Sequence, residues 1–277
     1  MQPRFLSLTD KLILIFSGFH MTFGWLMFSF GMIFVWAFVM NSELVYLFES
    51  AQWTTTEGVV KTLEPTNASE NKVPVYRFVY EYPVNGVMYQ GEGFIRGRNL
   101  QPEQRIEVQH RPDTPNISRP ATGRRALFPS FVAFVLIFPA LGLGFILYAF
   151  RKNMKEMDLL VNGQFTRGKL VKKVATNVSI NESVVYAYTF SFEVNGESYE
   201  AIGKTHQGRL LEDEFTERLV YAPQNPAYAA MYDTITNAPR LLDNGQFAPI
   251  PLSRAWVLAV PLLSVLVHGW VYVTFFA

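Results

Sequence analysis

Three stretches of the chain, residues 12–40, 127–150 and 256–277, are strongly apolar and contain no Asp, Glu, Lys or Arg. A helix needs roughly 20 apolar residues to cross about 30 Å of hydrocarbon, so we predict three transmembrane helices. The first stretch is longer than a span requires, and we expect it to tilt or to begin as an interfacial segment near residues 5–14. A cleaved signal peptide is the alternative, but the apolar run is about twice the usual length and no cleavage pattern follows it.

Two segments between these stretches alternate aromatic residues with smaller or polar ones. The rings occupy every second position, at Tyr76, Phe78, Tyr80 and Tyr82 and at Tyr186, Tyr188, Phe190 and Phe192. A period of two predicts β-strands with one aromatic face. The dipeptide Asn-Gly follows both, at residues 85–86 and 195–196. Because both residues tolerate the positive φ of a type I′ turn, each segment should form a β-hairpin.

The two-residue turns determine which residues pair across each hairpin. Counting outward, the predicted pairs are Tyr82–Tyr89, Tyr80–Gly91, Phe78–Gly93, Phe192–Tyr199, Phe190–Ala201 and Tyr188–Gly203. Rings would then lie over Gly or Ala and shield the backbone there. Shorter strands are predicted at 56–63, 105–109, 166–174 and 218–221. A Pro-x-x-Pro sequence at 112–115 and at 223–226 should end the pairing.

The two β segments align with each other at a shift of 110 residues, which predicts repeat cores at 56–118 and 166–229. We therefore predict a membrane protein with three transmembrane α-helices and two small all-β domains, each a sandwich or partly open barrel, related by internal duplication. The predicted order is an N-terminal segment with the first span (1–40), a connector and first β repeat (41–126), the second span (127–150), a connector helix and second β repeat (151–254) and the third span (255–277). Gly142 and Gly144 in the second span should let helices approach closely.

Composition narrows the classes of function. The chain is 49% hydrophobic and 17% charged with a formal net charge of +1, so no overall field attracts nucleic acid or an acidic substrate. It has no cysteine, which excludes disulfides, thiol nucleophiles and Cys-type metal sites. We expect the lipid bilayer as one partner and no nucleic acid.

The candidate chemistry is sparse. His20 and His268 lie within apolar stretches, where a histidine suggests proton transfer or metal ligation, but neither stretch carries the acidic residue or second histidine that such a site needs. The acidic run at 212–214 matches no calcium-loop pattern and is interpreted as a solvated loop. No nucleophile and base stand at matched positions. We therefore predict no catalytic residue, no cofactor and no metal.

The order of elements resembles a known family. The features are an apolar helix, Trp53-x-x-x-Glu57-Gly58-x-Val60, aromatic strands ending in Val-Asn-Gly-x-x-Tyr, a Val-x-His/Tyr-x-Pro-x-x-Pro close and another apolar helix. This order is similar to a bacterial membrane protein family known only as a domain of unknown function. The resemblance implies membrane-anchored β domains and carries no catalytic residue with it.

These observations favour a noncatalytic membrane anchor or accessory subunit whose β domains bind another membrane, periplasmic or cytoplasmic protein, or a second copy of the chain. The candidate interaction residues are Trp53, Tyr76, Phe78, Tyr80, Tyr82, Tyr89, Tyr186, Tyr188, Phe190, Phe192 and Tyr199. The alternatives are an immunity or assembly factor for one partner and, less favoured, a small transport or gating component. Basic residues near the span ends predict that the N-terminus and second repeat are cytoplasmic and the first repeat is outside. The family resemblance implies that the membrane is a bacterial inner membrane.

Overall fold

A computed structural model of the chain describes residues 4–180, 182–205 and 216–276. The chain divides into two compact units. The first unit is Phe30–Pro139, and the second unit combines Met1–Ser29 with Ala140–Ala277. Each unit contains one five-stranded antiparallel sheet. The acidic run at 212–214 and a fourth histidine at 206 lie outside the described residues.

Within the described residues, three helical stretches are long and apolar enough to cross a membrane. They are Phe19–Val39 with 21 residues, Ser130–Asn162 with 33 and Leu252–Phe275 with 24. The α-helices within them are α2 (Phe19–Phe34), α3 (Ile137–Asn162) and α4 (Ala259–Phe275). The prediction of three such helices is therefore confirmed. The prediction of a separate connector helix after the second span was wrong, because α3 continues to Asn162 before the chain turns at Gly163.

The start of the first apolar stretch does not belong to a spanning helix. A separate helix, α1 (Leu8–Ile15), begins with a capping box between Ser7 and Asp10, and the helical path is then interrupted near Gly18, at φ +96°, before α2 starts. Ile13 and Leu14 of α1 are buried in a protein core. The interfacial interpretation matched the break in the helix, but hydrophobicity alone did not show that α1 packs against protein.

The first unit is built on strands β1 to β5. Their bounds are β1 Thr54–Glu70, β2 Val73–Val84, β3 Val87–Arg96, β4 Arg105–His110 and β5 Ser118–Pro120. The strand order is β3-β2-β1-β4-β5. The register predicted from the Asn-Gly turn is confirmed, with Tyr82 opposite Tyr89 and Asn85 at φ +51°. Strand β1 is about twice as long as predicted, because a β-bulge near Pro65 lets pairing continue toward the hairpin tip.

The first sheet curls until its two edge strands meet. A Cβ added at Gly93 would lie 2.6 Å from the Phe78 ring and 2.8 Å from Pro120 on β5, so glycine there admits both the ring and the opposite edge. Just beyond β5, Phe94 and Arg124 exchange two backbone hydrogen bonds of 2.8 and 2.9 Å. The sheet is therefore a partly open barrel. Among the described residues, backbone hydrogen bonds close it between the end of β3 and the segment after β5.

The second unit repeats this topology. Its strands are β6 Gln164–Ile180, β7 Ser183–Val194, β8 Glu197–Thr205, β9 Thr216–Ala222 and β10 Asn225–Met231, in the order β10-β9-β6-β7-β8. The predicted pairs of its hairpin are confirmed. Bulges fall at equivalent places, between Val60 and Thr62 in β1 and between Leu170 and Lys172 in β6. Pairing was wrongly predicted to end at the second Pro-x-x-Pro, since Pro226 lies within β10.

An apolar core covers the outer face of β9 in the second unit. It joins α1, the end of α3 and the segment that follows β10. Its fully or nearly fully buried members are Leu6, Ile13, Leu14, Leu159, Leu160, Val220, Tyr232, Ile235, Phe247, Ile250 and Val257. Buried Asp10 is satisfied there, because its carboxylate accepts the backbone N–H of Ile250 at 2.8 Å. Asn153 of α3 donates to the carbonyls of Ile15 and Ser17 at 2.7 and 2.8 Å and so holds the end of α1.

Candidate functional site

The aromatic rows are the interior of the two barrels. Six of the eleven candidate interaction residues are buried, namely Phe78, Tyr80, Tyr82, Tyr188, Phe190 and Phe192. They pack with aliphatic side chains in two separate clusters, one under each sheet. The prediction that these rings contact a partner was therefore wrong in this conformation. The reason is that the sheet curls, so the ringed face of each hairpin becomes a core and cannot be an outer surface.

The other five candidates are partly exposed, and four of them belong to the edges of the same ring rows: Tyr76, Tyr89, Tyr186 and Tyr199. Tyr89 stacks on Tyr82 with ring centres 6.0 Å apart. Trp53 differs from the rest, because three guanidinium groups lie over its ring. A binding role for these five residues stays a prediction, and only Trp53 lies in a charged cluster.

That cluster gathers residues from four separate places in the first unit. The guanidinium carbons of Arg119, Arg125 and Arg111 lie 4.3, 5.4 and 5.8 Å from the Trp53 ring centre. The Glu49 carboxylate forms ion pairs with both Arg111 and Arg125. Cations over an aromatic face are favoured, more so where water is excluded. We call these five residues the arginine–tryptophan cluster.

The charge state of the cluster follows from its geometry. Burial alone would raise the pKa of the Glu49 carboxyl, but its hydrogen bonds and ion pairs with Arg125 and Arg111 outweigh burial and hold that pKa below its ordinary value. Glu49 is therefore ionised at neutral pH. Arg119 has no carboxylate partner among the residues that the structure describes; its Nε donates to the Gln109 side chain at 2.7 Å. The cluster consequently carries excess positive charge.

The connector after the first span lies beside this cluster. Tyr46 lies under Arg125, with the guanidinium carbon 3.8 Å from the ring centre. Glu43 accepts the backbone N–H groups of Arg125 and Ala126 at 2.6 and 2.8 Å. Its own N–H donates to the carbonyl of Phe128 at 3.0 Å, next to the start of the second span. The cluster is thus tied to the ends of two stretches that are long and apolar enough to cross a membrane.

Two open cavities adjoin the cluster in the first unit. One, of about 360 Å³, is lined by Tyr46, Arg119, Arg125 and Ser130 among others. The second, of about 410 Å³, lies between β3 and β5, and Gln90, Glu92 and Ser118 line it. Both are open clefts with polar walls, and neither has the apolar enclosure typical of a small-molecule site.

The edge of β3 beside the second cleft is available for pairing. Backbone groups alternate in direction along an antiparallel strand, so Met88, Gln90 and Glu92 point their N–H and C=O groups the same way as Phe94, away from β2. Among the described residues, Phe94 makes backbone hydrogen bonds on that side, with Arg124, and the other three make none. Gln90 and Glu92 are exposed.

The second unit fills the equivalent positions with apolar residues. Gln109 and Arg119 pair across β4 and β5, and the corresponding pair across β9 and β10 is Val220 and Ala230. Val220 is buried in the apolar core of that unit. The charged surface is therefore a property of the first unit. Sequence reasoning singled out Trp53 but missed Arg119, Arg125, Glu49 and Tyr46, because nothing local in the chain brings them together.

Polar residues inside the spans make packing contacts in the second unit. The Ser29 hydroxyl donates to the Ser264 hydroxyl at 2.7 Å, joining α2 to α4. His20 packs against the rings of Phe145 and Tyr148, with centres 6.2 and 5.2 Å away. Within the described residues no group of three or more His, Asp or Glu side chains could hold a metal ion.

Glycines of the spans differ in their contacts. A Cβ added at Gly142 would lie 2.8 Å from the carbonyl oxygen of Gly24, whereas one added at Gly144 would meet nothing within 4 Å. Close approach was therefore correctly predicted for Gly142 and wrongly for Gly144. Comparison with protein-family models, with curated proteins and with solved structures finds no match, so the function must be argued from this geometry.

Proposed function

We propose that the chain is a noncatalytic integral membrane anchor or accessory subunit that binds an extended segment of a partner protein along the free edge of β3. The observation that supports this most is the row of outward backbone groups at Met88, Gln90 and Glu92 beside a cleft of about 410 Å³. An open strand edge is a template for adding another strand.

The barrel geometry favours an added strand here. The hydrogen bonds between Phe94 and Arg124 close one end of β3, and β5 still approaches the strand at Gly91, where an added Cβ would lie 2.5 Å from the Ser118 Oγ. The entry for an added strand is therefore at the hairpin end of β3, near Met88. A segment entering at the open end would satisfy backbone groups that otherwise depend on water. Each such hydrogen bond contributes a net of about 0.5–1.5 kcal/mol, so three residues would supply only modest affinity. Side chains must therefore add specificity.

The edge offers both apolar and charged contacts. Met88 is 60% exposed and Val87 is 52% exposed at the hairpin turn. Arg77 and Glu92 form an ion pair at 2.5 Å on the wall of the cleft. Because side chains of a strand alternate, a bound segment would present every second residue to this wall. A partner segment with an apolar residue near Met88 and polar residues near Glu92 fits best.

The proposal also covers the origin of the two sheets and the location of the chain. The shared strand order and the equivalent bulges support an origin of the two sheets by duplication. The distribution of basic residues supports a cytoplasmic N-terminus and second sheet with the first sheet on the other side of the membrane. The family resemblance supports a bacterial inner membrane. The resemblance to a membrane family of unknown function agrees with this arrangement. An immunity protein or an assembly factor would be a particular case of the proposed role.

Site-specific photocrosslinking in native membranes tests the proposal. A benzophenone amino acid is placed at Met88 in the full chain, and at Ser198, the equivalent position of β8, as the matched control. We expect a discrete adduct with one protein from position 88 and none from position 198. Gln90→Pro should abolish the adduct, because proline removes an outward N–H without breaking the bonds between β2 and β3.

Gln90→Asn, which keeps the backbone N–H, should retain the adduct and so separates edge pairing from loss of the side chain. Far-ultraviolet circular dichroism of both variants checks that the sheets are intact. Lipid adducts alone at position 88, or an adduct unaffected by Gln90→Pro, would show that the edge of β3 is not a docking site.

A further inference from the structure

The connector beside the arginine–tryptophan cluster exposes three apolar side chains that docking at the β3 edge does not explain. They are Val45 at 52%, Leu47 at 62% and Phe48 at 92%. Each buried CH₂ group stabilises by about 0.8 kcal/mol, so leaving such side chains in water is unfavourable. Exposed apolar residues next to the end of a span are typical of a segment that lies in the membrane interface.

The position of the connector relative to a membrane follows from its attachment to the ends of the first two spans. The first span ends at Val39 and the second begins at Ser130. Backbone hydrogen bonds join the two chain ends there, from Phe128 N–H to the Asn41 carbonyl and from Glu43 N–H to the Phe128 carbonyl, both 3.0 Å. Residues between these ends lie where hydrocarbon gives way to head groups. Arg119 and Arg125 are held just beside that boundary.

The charges of this surface do not balance. Four arginines and three glutamates take part: Arg111, Arg119, Arg124 and Arg125 with Glu43, Glu49 and Glu70. One positive charge therefore remains, and Arg119 is the arginine without a carboxylate partner among the described residues. Trp53 lies against the Arg119 guanidinium and Tyr46 against that of Arg125, and both arginines line the cavity. Arginine is well suited to binding phosphate oxygens.

From these observations we propose that the cavity of about 360 Å³ binds the head-group phosphate of an anionic phospholipid. Arg119 supplies the uncompensated charge, and Arg125 and the Ser130 hydroxyl supply further donors. Leu47 and Phe48 lie against the acyl chains of the same leaflet. The second unit cannot form this site, because Ala230 replaces Arg119 and an apolar core covers it. The site adjoins the cleft beside the β3 edge, because Tyr46 and Arg125 line both cavities, whereas Arg119 lines the cavity of about 360 Å³ and Gln90 lines the cleft.

Lipid retention by the purified full-length chain tests the proposal. The protein in detergent is offered phosphatidylglycerol or phosphatidylcholine, and bound lipid is counted by native mass spectrometry. We expect preferential retention of phosphatidylglycerol. Arg119→Gln should weaken it about tenfold or more, because a hydrogen bond to a charged group contributes about 1.5–3 kcal/mol. Arg119→Lys, which keeps the charge, should lose less.

Arg105→Gln is the matched control, since Arg105 is exposed on β4 and pairs with Glu57 at 3.0 Å. It should bind lipid like the unmodified chain. Phe48→Ser should weaken retention of both lipids, and circular dichroism checks the fold of every variant. Equal retention of the two lipids, or an Arg119→Gln variant that binds as before, would overturn the proposal. So would displacement of phosphatidylglycerol by inorganic phosphate alone, because the site would then serve a free anion.

Discussion

Close packing of the first two spans depends on Gly142, and replacing it with alanine is the sharpest test of the helix arrangement in the second unit. An added Cβ would lie 2.8 Å from the Gly24 carbonyl oxygen and also 2.8 Å from Phe28 Cα. The Phe28 backbone nitrogen would lie closer still, and ordinary contact begins at 3.4 Å, so the helices must separate by more than about 0.6 Å. All three obstacles are backbone atoms, which cannot rotate away.

The size of the effect follows from this separation. A gap of 0.5–1 Å forfeits roughly a quarter to a half of the dispersion energy of each contact. Overpacking of this kind costs about 1–3 kcal/mol in well-packed proteins. In lipid no hydrophobic driving force compensates, since association of spans depends on close packing and hydrogen bonds. We expect Gly142→Ala to lower the free energy of unfolding by about 1–3 kcal/mol.

The assay is unfolding of the full chain in mixed micelles with increasing SDS, followed by circular dichroism. Gly144→Ala is the matched control, because it adds the same methyl group two residues away where nothing lies within 4 Å. The control should be as stable as the unmodified chain. If Gly142→Ala were no less stable than Gly144→Ala, the contact between α2 and α3 at this level would be refuted.

Three further predictions concern other parts of the chain. Asn153→Ala removes the donor to the backbone carbonyls of Ile15 and Ser17. It should destabilise the second unit by about 1–3 kcal/mol for each carbonyl left without a hydrogen bond, as measured by the same SDS titration. Burial raises the pKa of Tyr80 to about 12. An unfolded chain would lose this proton near pH 10, so stability should fall between pH 10 and 12 by up to about 1.4 kcal/mol per pH unit, and Tyr80→Phe should flatten that slope. Single cysteines at Asn71 and Glu182 should react with an impermeant maleimide from opposite sides of the membrane; labelling from one side would refute the proposed topology.

Elements that depend on neighbouring residues could be predicted from the amino-acid sequence. Length and apolarity identified three stretches able to span a membrane, and the alternation around Phe78 and Tyr80 predicted strands. The Asn-Gly turn set the hairpin register, since a two-residue loop leaves one way to pair the flanking strands. These features need only neighbouring residues, so they could be read directly from the chain.

Which faces are buried and which are exposed depends on contacts between distant parts of the chain. Because the first sheet curls, its aromatic face is buried as a core. Helix α1, at the start of the first apolar stretch, packs in the core that covers β9. The arginine–tryptophan cluster combines Glu49, Trp53, Arg111 and Arg125, which no local pattern connects. Its physical basis is the pairing of β1 with β4 and β4 with β5, together with the hydrogen bonds that tie the connector to the second span. Contacts between distant parts of the chain depend on how the sheet closes, and that is a property of the whole fold.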